Sequence, residues 1–149
     1  MDSFLADGVL AHEVFGSSSI VVRCRDLADL KRVIAGLEGQ LTTTLIADEE
    51  DWAMASQLLP LLISKCGRVL ANGWPTGVEV GHAMVHGGPY PATSDGRTTS
   101  VGSLAIERFL RPVCYQDLPD ALLPPALQEA NPWKIDRRID GLWKVPARE

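Results

Sequence analysis

The chain has 149 residues, of which 46% are hydrophobic and 22% charged. That composition excludes a disordered chain, a collagen-like chain and a membrane bundle. The formal net charge of -5, with no basic cluster, argues against nucleic acid and anionic membranes as partners.

The N-terminal residues lack a basic region and a long apolar stretch, so no signal peptide is read there and a cytoplasmic location is expected. Residues 19–23 (Ser-Ile-Val-Val-Arg) are rich in β-branched side chains and read as a buried strand. Asp26 follows as an N-cap, and Leu27, Leu30, Ile34 and Leu37 recur at helical spacing, predicting a helix over 27–38 that stops at Gly39. Residues 41–47 read as a second strand. Asp48 then caps a helix reaching Lys65, with Glu49, Glu50 and Asp51 in its first turn and Pro60 expected to kink or divide it. Gly67 ends that helix, and residues 68–71 form a third strand. The order is βαβαβ, an α/β fold with a parallel sheet and crossover helices.

Residues 73–102 hold most of the glycines, with Pro75, Pro89 and Pro91, and have no regular periodicity. A loop this long after a parallel strand reads as functional. A helix over 101–109 follows, then an edge strand over 111–116 with Pro112 in it. From 117 onward Pro119, Pro124, Pro125 and Pro132, with Trp133 and Trp143, indicate a tail without a core of its own.

His82 and His86 lie four apart, a spacing that suits two metal ligands only on a helix, and the surrounding glycines argue against one. Two histidines hydrogen-bonded in an ordered loop are the plainer reading, and no metal site is assigned. Neither GxGxxG nor GxxxxGK[ST] occurs, so no nucleotide-binding motif is present. Cys24, Cys66 and Cys114 are widely spaced, form no CxxC pair and read as reduced thiols acting as small hydrophobes. Glu13 beside Phe15 could hold a ribose hydroxyl pair next to a flat ring, or be a surface carboxylate beside a core aromatic.

The run Glu13-Val14-Phe15-Gly16, the order of elements after it, and Gly67-Arg68-Val69-Leu70-Ala71-Asn72 resemble the E-[IV]-F-G-P and G-x-V-x-x-N segments of the aldehyde dehydrogenase superfamily. The loop over 73–100 and the run Phe109-Leu110-Arg111-Pro112-Val113-Cys114-Tyr115-Gln116 resemble its α-ketoglutaric semialdehyde dehydrogenase branch. Ser17 stands where the family has proline.

The resemblance implies the C-terminal part of an aldehyde dehydrogenase catalytic domain over 1–108, with the pocket loop at 73–100, an oligomerisation strand at 109–116 and a tail at 117–149. It implies NAD or NADP as cofactor, a semialdehyde as substrate and a homo-oligomer. Glu13 matches the glutamate that holds the nicotinamide-side ribose, and Phe15 the aromatic residue near the nicotinamide. Trp74, Thr76, His82 and His86 match the wall of the aldehyde pocket. No catalytic residue is carried over: the family's nucleophilic cysteine, general-base glutamate and Rossmann domain lie upstream of the EVFG motif, so the chain alone is expected to be inactive. The rivals are a non-catalytic, self-associating module of the same descent and an unrelated small-molecule domain that uses His82 and His86 as ligands.

Overall fold

The computed structural model describes residues 1–147, which fall into two units, Met1–Leu110 and a second that begins at Arg111. In the first unit a short helix α1 (Asp2–Ala6) and a 3-10 turn (Gly8–Ala11) precede an irregular stretch. Helix α2 (Leu27–Gly36) begins where the Asp26 side chain accepts from the Asp29 N–H at 2.8 Å, the cap that its sequence predicts. Strand β1 (Gln40–Leu45) follows, then a 3-10 turn (Glu49–Asp51), helix α3 (Trp52–Lys65) and strand β2 (Cys66–Ala71). The two strands pair in parallel, Thr42 opposite Arg68 and Leu45 opposite Ala71.

The core is small. Ile34 of α2 and Leu58 and Leu62 of α3 are buried together, and Leu45 and Val69 pack against them from the sheet. The Lys65 ammonium donates to the Leu37 carbonyl at 2.6 Å, satisfying a group just past the end of α2. Asp29 is 5% exposed and takes the Arg25 guanidinium at 2.7 Å, with Arg32 at 3.5 Å. The Arg25 hydrogen bond holds the Asp29 carboxyl below the usual aspartate range.

Four expectations need correction. Residues 19–23 form no strand: Ile20 and Val21 are 55% and 85% exposed, and no strand among the described residues pairs with them. β-branched composition marks a surface suited to a sheet, but a ladder needs a neighbour. The sheet is therefore one βαβ unit rather than βαβαβ. Of the kink or division expected at Pro60, the division is absent: helix α3 runs continuously through it. The carbonyl that a Pro60 N–H would meet belongs to exposed Ser56, where water can serve it. Gly67 lies within β2 instead of ending the helix, and the segment after Gly102 is a 3-10 helix (Ser103–Phe109).

In the second unit, residues 111–116 are exposed and carry no ladder, so the expected edge strand has no partner among the described residues. The hairpin of β3 (Arg137–Ile139) and β4 (Leu142–Lys144) turns at Asp140-Gly141, both with positive φ. Asp-Gly is a strong two-residue hairpin signal. None of this unit's described residues is buried.

The accessible surface is 11755 Å². Two separate compact bodies of these sizes would together expose about 9,000 Å². Large apolar side chains contribute to it, with Phe15, Val21, Trp74 and Phe109 each more than four-fifths exposed.

Asp26→Ala removes the α2 cap and should cost about 1 kcal/mol in urea unfolding. Asp29 contributes stability that is complete above its unfolded-state range and is lost as pH falls through its lowered folded value. Melting of Asp29→Asn should therefore depend less on acid than melting of the parent chain, measured from neutral pH downward.

Candidate functional site

Asn72 joins the exits of the two strands. Its side chain accepts from the Ala47 N–H and donates to the Ala47 carbonyl, each at 2.9 Å, while its own N–H donates to the Leu45 carbonyl at 2.8 Å. Its φ of 50° is a left-handed conformation that asparagine tolerates well. The terminal asparagine of G-x-V-x-x-N is thus the clamp that launches the long loop from the sheet.

The loop then returns to the opposite ends of the strands. A Cβ on Gly39 would collide with the Pro89 carbonyl, one on Gly67 with the Gly87 carbonyl, and one on Gly88 with the Gln40 carbonyl. These backbones approach so closely that only glycine fits. His86, one residue before that contact, is held through its main chain. Its N–H donates to the Thr99 hydroxyl at 2.8 Å, and its carbonyl accepts from the Ser100 N–H at 3.0 Å. Thr99 is 4% exposed and donates onward to the Val101 carbonyl at 2.9 Å.

Between the returning loop, the strands and the segment after Ala11 lies an open cleft of about 1050 Å³. Glu13, Thr76 and His86 line it, with Gln40 and Thr42 of β1 and Arg68 of β2. Thr42 and Arg68 are cross-strand partners. Leu45 and Val69, at odd-numbered positions of the strands, pack on the helices. Alternation along the strands leaves the even-numbered Gln40, Thr42 and Arg68 for the cleft side.

Three predicted residues therefore meet in one place, and three do not. Phe15 is 92% exposed and Trp74 81% exposed, and neither lines the cleft. His82 also lies outside it, with Nδ1 hydrogen-bonded to the Ser103 hydroxyl. Among the described residues no three His, Cys, Asp or Glu side chains gather in a group that could hold a metal ion. Cys66 is buried with Sγ 3.0 Å from the Thr43 hydroxyl, as a small core residue would be, whereas Cys114 is exposed. No described helix is long and apolar enough to cross a membrane. Sequence reading missed Gln40, Thr42 and Arg68; the run Thr42-Thr43-Thr44 blurs the alternation of β1, and nothing along β2 marks Arg68.

No family model matches the chain. It is 62% identical over 139 residues to alpha-ketoglutaric semialdehyde dehydrogenase 2 of Azospirillum brasilense, covering 93% of this chain and 26% of that protein. It is 59% identical over 133 residues to alpha-ketoglutaric semialdehyde dehydrogenase of Acinetobacter baylyi, covering 89% of this chain and 25% of that protein. The chain spans about a quarter of the length of these curated relatives. The resemblance to the aldehyde dehydrogenase superfamily is borne out.

The glycine contacts give a paired test. Gly39→Ala forces a Cβ against the Pro89 carbonyl and should cost about 3 kcal/mol in urea unfolding. Gly77→Ala, with nothing within 4 Å of the new carbon, should stay within about 0.5 kcal/mol of the parent.

Proposed function

We propose that this chain, homologous to a quarter-length segment of alpha-ketoglutaric semialdehyde dehydrogenases, is the C-terminal part of an NAD(P)-dependent enzyme that oxidises a semialdehyde to the acid. The single observation that carries this reading is that Glu13, Thr76 and His86 line one cleft. On this reading the Glu13 carboxylate accepts hydrogen bonds from the cofactor's ribose hydroxyls, and its exposure in an open cleft suits that task. Phe15 fits less closely, since it stands outside the cleft. NAD or NADP, when bound, supplies the hydride acceptor. Thr76 and His86 wall the aldehyde pocket, His86 held in place by buried Thr99. The segment orients substrate and cofactor, and the groups that make and break bonds belong to the remainder of the enzyme.

A second reading, a self-associating module, draws on the exposed run Phe109, Leu110, Val113 and Tyr115 in a segment without a ladder partner. An exposed strand-like segment of this kind invites pairing with another copy.

The test is a chimera in which this chain replaces the matching quarter of the Azospirillum relative. NAD(P)-dependent oxidation of α-ketoglutaric semialdehyde by the chimera, and none by the isolated chain, is the expected pair of results. Glu13→Gln in the chimera should raise KM for the cofactor about ten- to a hundredfold, the worth of a hydrogen bond to a charged group. An inactive but folded chimera contradicts the proposal. Light scattering of the isolated chain addresses the second reading, which predicts a species larger than a monomer.

A further inference from the structure

Arg68 is a half-buried cation with one unpaired donor. Its Nη2 donates to the Thr76 carbonyl at 3.4 Å, a long bond, and its Nε is shielded from water with no acceptor. Arg25 and Arg32 pair with Asp29, and Arg97 with Asp95, but no carboxylate among the described residues pairs with Arg68. A shielded N–H without an acceptor is costly, and an incoming anion would relieve it. The side chain stands on the cleft face of β2, beside the Thr42 hydroxyl on β1. The Gln40 amide, which donates to the Glu38 carbonyl at 3.4 Å, lies on the same face. Glu13 and Glu38 also line the cleft, so it carries two carboxylates against one guanidinium. That balance disfavours a polyanion such as a phosphate more than a ligand whose single negative charge sits at the guanidinium and whose body is otherwise neutral.

We propose that Arg68 holds the carboxylate of the substrate, so that this cleft selects aldehydes with an acid group at the far end. The proposal rests on the dehydrogenase reading above for the identity of the ligand, but the anion site itself does not. Arg68 acts as a specificity-determining residue: it forks onto the carboxylate and leaves the reacting carbon to other groups.

The probe is 2-oxopentanoate, a stable keto acid lacking the aldehyde, titrated into the isolated chain while the Arg68 guanidinium resonances are followed by NMR. A saturable shift is expected, with pentan-2-one, which lacks the carboxylate, producing none and inorganic phosphate binding more weakly. Arg68→Gln should weaken binding at least tenfold, and Arg68→Lys, which keeps the charge and loses the fork, by less. The absence of a saturable shift in the parent chain, or tighter binding of phosphate, overturns the proposal whatever the variants do. In the chimera, Arg68→Gln should raise KM for α-ketoglutaric semialdehyde and leave that for pentanal unchanged. Binding at Arg68 with an inactive chimera would remove the dehydrogenase reading and keep the anion site. An active chimera whose preference for the semialdehyde over pentanal survives Arg68→Gln would do the reverse.

Discussion

The close approach of the 87–90 backbone to Gly39, Gln40 and Gly67 is the contact on which the site depends. It turns a long, glycine-rich loop into one wall of a cleft whose other wall is a polar sheet face. Side chains do not make this contact. Carbonyls meet positions that have no Cβ, which is why the loop carries paired glycines and why Gly39 and Gly67 bracket the strand starts. Asn72 fixes the other end of the same loop, so it is anchored at both ends of the strands.

The helical side of the sheet answers to different physics. Ile34, Leu58, Leu62, Leu45 and Val69 bury apolar surface and hold the strand pair in register. That core is slight for 110 residues, and the large exposed apolar side chains show how much surface it leaves uncovered. The curated relatives are about four times as long as this chain.

Where a local signal determines structure, the sequence was legible. The Asp26 cap, the helical periodicity of α2 and the two strands flanking α3 all appear where they were expected. The failures fall where structure depends on partners. Residues 19–23 have the composition of a strand and no neighbour, and residues 111–116 are alike in this. Among the cleft-lining residues, Glu13, Thr76 and His86 stand in segments that match motifs, while Arg68 was not singled out. Its importance comes from pairing with Thr42 across the sheet and from an acceptor it lacks, and neither is visible along one strand. The Asp140-Gly141 hairpin was legible in principle, since its turn signal is local.

The central claim is that one cleft joins the group that holds the cofactor to the wall of the substrate pocket. Its most direct test is a crystal structure of the chimera with NAD and 2-oxopentanoate bound. The account predicts the nicotinamide-side ribose at the Glu13 carboxylate, with the keto acid between it, Thr76 and His86. A ribose bound away from Glu13, or a keto acid outside this cleft, would contradict it.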